Sequence, residues 1–144
     1  MPKQIAGAFT IAKQVSDVHT GVLNQMIVSR WLSEYDIDSH LESIRRIYRK
    51  KLDLMCSCLD EYCADFISYV RPEGGLFIWA KLDDGIDMLQ YVKKLIDKKV
   101  AVVPGSAFMC NDAAKCNHIR LNFSTPSEAD IIKGVKIMAD TAKQ

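Results

Sequence analysis

Ile119-Arg120-Leu121-Asn122-Phe123-Ser124, read with Val102-Val103-Pro104-Gly105-Ser106-Ala107-Phe108, sets one arginine in an otherwise apolar strand pattern behind a Pro-Gly loop. Side chains alternate between the two faces of a strand. Arg120 therefore projects opposite Ile119 and Leu121, on the side it shares with Asn122. A guanidinium is costly to bury and is normally kept in apolar surroundings where it has an anion to bind. Its planar fork meets a carboxylate through two parallel hydrogen bonds that lysine cannot reproduce. A plain surface arginine would satisfy the alternation equally well. The neighbouring Pro104-Gly105 loop and Asn122 favour a polar pocket at the end of a sheet.

Moving outward, the same texture continues on both sides. Phe66 to Val70 and Leu76 to Ala80 read as short strands separated by the turn Arg71-Pro72-Glu73-Gly74-Gly75, with the positive-φ role assigned to Gly74. Gly75 is also suited to close backbone approach to a ligand. Asp87 to Lys99 has the spacing of an amphipathic helix with Met88, Tyr91, Val92, Leu95 and Ile96 inward. Val100 to Val103 and His118 to Phe123 are expected as further strands. Ser127-x-x-Asp130 can cap a last helix with Ile131, Val135 and Met138 as its inner stripe.

The N-terminal part is helical in pattern. Residues 3–15 offer a weak apolar stripe, and Asp17-Val18-His19-Thr20-Gly21 reads as a break. Val22 to Tyr35 is predicted as a helix with Leu23, Met26, Ile27 and Leu32 inward. Asp38 or Ser39 can cap the next helix, and Ser39-x-x-Glu42 has capping-box spacing. Leu41, Ile44, Tyr48, Leu52, Met55, Leu59 and Tyr62 then recur for roughly six turns. Helices first, then strands mixed with helices, give an α+β fold: a small antiparallel or mixed sheet packed against helices and preceded by long helices.

Composition bounds the function classes. The 144 residues are 49% apolar and 26% charged, with 19 basic against 18 acidic side chains and a formal charge of +1. That balance gives no support for general nucleic-acid or membrane attraction. No apolar run is long enough for a bilayer span, and Met1-Pro2-Lys3-Gln4 lacks the apolar core of a secretion signal. Five cysteines, an odd count, read as reduced thiols and a cytoplasmic location. Cys56 and Cys63 fit a helix face at the core edge, with Cys58 pointing elsewhere.

The remaining reactive residue types point nowhere in particular. The basic run Arg45-Arg46-x-x-Arg49-Lys50-Lys51 falls outside the apolar stripe and reads as a solvated face. Cys110-x5-Cys116-x-His118 is a loose trio rather than a tetrahedral zinc set, so no metal is expected. His19 fits a capping or hydrogen-bonding role. No nucleophile–base–orienter set and no phosphate-cradling glycine loop stands out. No catalytic residue is assigned.

Several segments, in order, resemble fold-type I pyridoxal 5'-phosphate (PLP) aminotransferases of the kynurenine/α-aminoadipate and 2-aminoadipate branch. They are Ala12-Lys13-Gln14-Val15-Ser16-Asp17-Val18-His19-Thr20 with Asn24-Gln25, then His40-Leu41 running into Tyr48. Pro72-Glu73-Gly74-Gly75-Leu76-Phe77-Ile78-Trp79 follows, then the Pro104-Gly105 and Arg120 segments quoted above. The resemblance implies that Arg120 binds the substrate α-carboxylate and that Phe77 lines the side-chain pocket. Asn122, on the same side as Arg120, completes the substrate-binding set.

The same resemblance places the Schiff-base lysine, the aspartate at the pyridine nitrogen and the aromatic residue on the ring ahead of Met1. Lys3 and Lys13 stand in the wrong context for that role. The expectation is therefore a C-terminal small domain, residues 36–144, with residues 1–35 a helical connection from an absent N-terminal large domain. No cofactor-binding residue and no bound PLP is expected in this piece, which should be inactive alone. The parent would be a homodimer acting on an amino acid and a 2-oxo acid with PLP. The alternative parent is a winged-helix transcriptional regulator carrying the same transferase module, the one case in which nucleic acid would be a partner.

Overall fold

The structure, a computed structural model, describes residues 2–110 and 116–143. It divides into two compact units, Met1–Ser43 and Ile44–Gln144.

The first unit holds α1 (Lys3–Asp17), α2 (Val22–Glu34) and the start of α3 (Ile37–Tyr62). Neither α1 nor α2 has a buried residue. The expected inward set of α2 is corrected here: Leu23, Met26, Ile27 and Leu32 are all exposed. Periodicity reports an apolar stripe, but among the described residues of this unit nothing covers it. The break between α1 and α2 is a γ-turn of the rare positive-φ form, centred on Val18 (φ 61°, ψ −60°), in which His19 N–H donates to the Asp17 carbonyl at 2.6 Å. A β-branched residue is strained there. His19 Nδ1 lies 2.9 Å from the Thr20 carbonyl, within its own turn. The cap of α3 also differs from expectation. Asp36 Oδ1 accepts the Ser39 N–H at 3.0 Å, so the helix begins two or three residues earlier, at Ile37.

The second unit carries the core. Its sheet comprises β1 (Ile67–Tyr69), β2 (Phe77–Leu82), β3 (Val103–Pro104) and β4 (His118–Asn122) in the order β1-β2-β4-β3, with every pairing antiparallel. Burial alternates along β2 so that Ile78, Ala80 and Leu82 face inward, and Ile119 and Leu121 of β4 join them. These side chains share one core with Met55, Cys56, Cys58 and Leu59 of α3, with α4 (Met88–Asp97) and with α5 (Glu128–Ala142). Cys58, expected to point elsewhere than Cys56 and Cys63, is buried with them. Fully buried residues such as Leu95 and Ile119 each cost about 2–5 kcal/mol on truncation to alanine. Buried polar groups are tied in: the Tyr91 hydroxyl donates to the Met138 carbonyl at 2.9 Å, joining α4 to α5.

Helix ends follow local chemistry. Gln90 N–H donates to Asp87 Oδ1 at 3.0 Å at the start of α4. At its end, Lys99 (φ 66°) sits in the left-handed region. Its N–H donates to the Ile96 carbonyl, and that of Val100 to the Leu95 carbonyl. This is a Schellman closure with lysine where glycine is preferred. It also takes Val100 out of the strand expected from Val100 to Val103, and β3 begins only at Val103. Ile96, expected inward, is 54% exposed at the edge of the α4 stripe. The positive φ of the β1–β2 turn falls on Gly75 (φ 83°) rather than Gly74.

Among the described residues, no helix is long and apolar enough to cross a membrane.

Candidate functional site

The helices of the second unit cover one face of the sheet, and the functional candidates stand on the other. The β2–β4 register pairs Phe77 with Asn122, Trp79 with Arg120 and Lys81 with His118. Alternation then sends all six side chains to the outer face. The three residues singled out from sequence are thus brought together on two adjacent strands.

Arg120 is half-buried. Its guanidinium carbon lies over the Phe77 ring at 4.1 Å from the centroid and over the Phe108 ring at 4.8 Å. Among the described residues its side chain has no carboxylate in ion-pair range and no hydrogen-bond partner. Among them, too, no buried side-chain nitrogen or oxygen is left without a partner, so its donors remain accessible. A ring face attracts the cation without occupying any N–H. The result is a cation held by aromatic rings, with its fork free for an oxyanion.

Asn122 is placed differently. Its Oδ1 accepts from Ser124 N–H (2.8 Å), Ser124 Oγ–H (2.9 Å) and Thr125 N–H (3.1 Å). This side chain closes the turn that ends β4. Lys51 Nζ donates to the Ser124 carbonyl at 2.8 Å, and Lys50 pairs with Glu128 at 2.7 Å. These two lysines belong to the run read as a solvated face. That reading is corrected for Lys51, which is half-buried and ties α3 to the Asn122 turn.

Three neighbours, Phe108, Trp79 and His118, were given no site role from sequence. Phe108 closes the short 3-10 turn Gly105–Phe108 that follows β3, and its ring meets Trp79 edge-on at 5.7 Å. Trp79 in turn stacks on His118 at 5.3 Å with 12° between planes. A loop aromatic has no periodicity to reveal its contacts, so only the strand alternation at Trp79 and His118 carried a signal. An open hollow of about 350 Å³ adjoins this stack, lined by Ser68, Tyr69, Val70, Trp79, Lys81 and His118.

Elsewhere the reactive groups are structural. Burial, and secondarily the neighbouring Cys58, pushes the Cys63 thiol up to about 12. Burial raises the Tyr69 hydroxyl as well, and it donates to Asp60 at 2.8 Å. Cys116 Sγ lies 3.9 Å from His118 Nδ1, while Cys110 is exposed. Among the described residues, no group of three His, Cys, Asp or Glu is arranged to hold a metal ion.

A family model described as aminotransferase class I and II matches residues 10–137. The chain is 37% identical over 134 residues, 93% of its length, to aromatic-amino-acid aminotransferase 1 of Thermococcus litoralis, of which it covers 32%. It is similar in structure to the kynurenine aminotransferase of Pyrococcus horikoshii, with TM-score 0.88 and 37% identity over 98% of this chain and 35% of that one. At 27% identity over 99% of its length it is also similar to an uncharacterized HTH-type transcriptional regulator of Bacillus subtilis, of which it covers 29%. The chain spans about a third of the length of the curated relatives it matches.

Proposed function

The chain belongs to the class I and II aminotransferase family, and on that premise we propose that it is the C-terminal, substrate-carboxylate-binding part of a PLP-dependent aminotransferase. In this reading Arg120 grips the α-carboxylate of an amino acid, and then of the 2-oxo acid that receives its nitrogen. The observation that carries it is the state of Arg120: half-buried against Phe77, with accessible donors and no acid partner among the described residues.

The chemistry follows from that state. A carboxylate meets the guanidinium edge through two parallel bonds, which fix the plane of the substrate as well as its distance. Fixing it converts a bimolecular encounter into an effectively unimolecular one. Phe77 gives the substrate side chain an apolar wall, and Asn122 holds the turn behind Arg120.

PLP, when bound, supplies the electron sink for moving an amino group. The residues of this chain do not by themselves fit that cofactor. Lys13 is paired with Asp17 on an exposed helix, and Lys81 reaches Asp84 at 3.4 Å. The cofactor's site is accordingly assigned to polypeptide outside this sequence, and residues 1–144 alone are inactive. The parent acts as a homodimer.

The test is Arg120→Ala and Arg120→Lys in the full-length protein. Losing a charge-assisted pair lowers kcat/KM by about 10- to 150-fold. Lysine, lacking the fork, recovers only part of it. An unchanged KM for the amino acid overturns the reading. A regulator parent, favoured by the resemblance to the Bacillus subtilis protein, is separated by the coding sequence ahead of Met1. A basic winged-helix segment there selects it.

A further inference from the structure

We propose that Phe108 is a positioning residue for carboxylate recognition: its ring, delivered by the Gly105 turn, holds the Arg120 guanidinium in its binding arrangement before substrate arrives. The inference rests on Arg120 being the carboxylate anchor.

Phe108 has no place in the core. It is 48% exposed, on a turn, and absent from the buried cluster. Its described ring contacts are with Trp79 and with the Arg120 guanidinium. A large aromatic left half in water needs a local reason, and the cation supplies one.

The backbone fixes this contact from both ends. Val103 pairs with Arg120 and Pro104 with Ile119, so the turn leaves β3 in register with the anchor strand. At Gly105 the turn then approaches β4 so closely that a Cβ would stand 2.6 Å from Cys116 Sγ and 2.7 Å from the His118 carbonyl oxygen. Phe108 follows three residues later with little freedom to swing away. The Trp79 edge supports the ring from β2.

Strand order makes the arrangement two-sided. β4 lies between β2 and β3, so Phe77 reaches Arg120 from one neighbouring strand and Phe108 from the turn after the other. A free arginine samples many rotamers and surrenders that freedom on binding. Two rings remove much of it during folding, so the cost no longer falls on the ligand. Because a phenyl ring offers no oxygen or nitrogen acceptor, neither contact spends the guanidinium's capacity to donate to an oxyanion.

The test separates ring electrostatics from ring shape. In the full-length protein, Phe108 is replaced site-specifically by 4-fluoro-, trifluoro- and pentafluoro-phenylalanine, with Phe108→Tyr, Phe108→Leu and Arg120→Ala alongside. KM and kcat are measured with the fastest donor among L-phenylalanine, L-2-aminoadipate and L-kynurenine. The expected result is a stepwise rise in KM with fluorination, about 3- to 10-fold at pentafluoro, with Tyr near the parent and Leu raised. A purely structural ring would be indifferent to fluorination at constant shape. A flat series beside a large Arg120→Ala effect overturns the role of Phe108 and leaves the anchor standing. A normal KM in Arg120→Ala, or no turnover of any donor by the parent protein, overturns both.

Discussion

Gly105 lies so close to His118 that a Cβ on the glycine would stand 2.7 Å from the histidine's carbonyl oxygen. A thiol at Cys116 can rotate out of the way, but a carbonyl in β4 cannot. Gly105→Ala is therefore expected to destabilise the second unit by about 1–3 kcal/mol, by overpacking rather than by backbone strain. Gly75→Ala makes the contrasting case. It has open space around it but a φ of 83°, and costs about 1 kcal/mol through conformation alone. Urea denaturation of both variants measures this. An unchanged midpoint for Gly105→Ala would mean the turn is free to shift.

Lys99 occupies the left-handed position of the α4 closure, where an L side chain costs about 1 kcal/mol relative to glycine. Lys99→Gly should raise the unfolding free energy by about 0.5–1 kcal/mol, and with it the denaturation midpoint, somewhat offset by the greater freedom of glycine in the unfolded chain. A lower midpoint would contradict the Schellman assignment.

Ser127 caps α5 by accepting the Asp130 N–H at 3.2 Å while donating its hydroxyl to the Asp130 carboxylate at 2.6 Å. Hydrogen bonding from the Ser127 hydroxyl, and secondarily from the Ser127 backbone, holds the Asp130 carboxyl below the usual carboxylate range. With the folded-state value depressed, the contribution is present above the unfolded value and is lost as pH falls through the folded one. Ser127→Ala is expected to cost about 1 kcal/mol at neutral pH. It should also flatten the acid limb of a stability–pH curve. Equal acid sensitivity in both proteins would refute the coupling.

Thiol labelling should sort the cysteines by burial. Cys110 is exposed and should react with iodoacetamide at pH 8 in the folded chain, whereas Cys56, Cys58 and Cys63 should react only on unfolding. For Cys63, burial foremost keeps the thiolate form scarce up to about 12. Mass spectrometry of the labelled peptides checks the order. Rapid modification of Cys63 would place it outside the core.

The second unit was largely legible because its signals are local. Ser127 announced its own helix, and strand alternation put Arg120 and Asn122 on one face, while Phe77 was named only through the family resemblance and joins them by the strand register. What sequence could not supply was the partner of each surface. The α2 stripe of Leu23, Met26, Ile27 and Leu32 has the right period but no cover within its unit. Asp36 and Ser39 both offer capping chemistry, and only the backbone decides between them. Phe108 and Lys51 were missed because their contacts, with Arg120 and with the Ser124 carbonyl, span sequence distances that no repeat encodes.

β4 is the last strand in the chain yet lies between β2 and β3, and β3 has β4 as its strand partner. During synthesis, the β1–β2 hairpin can form while β3 waits unmatched until residues 118–122 emerge. The arginine thus arrives with the ladder that completes the sheet. If Arg120 is the carboxylate anchor proposed above, an oxyanion in its fork binds only the finished β-layer and stabilises it by mass action over chains stalled one strand short.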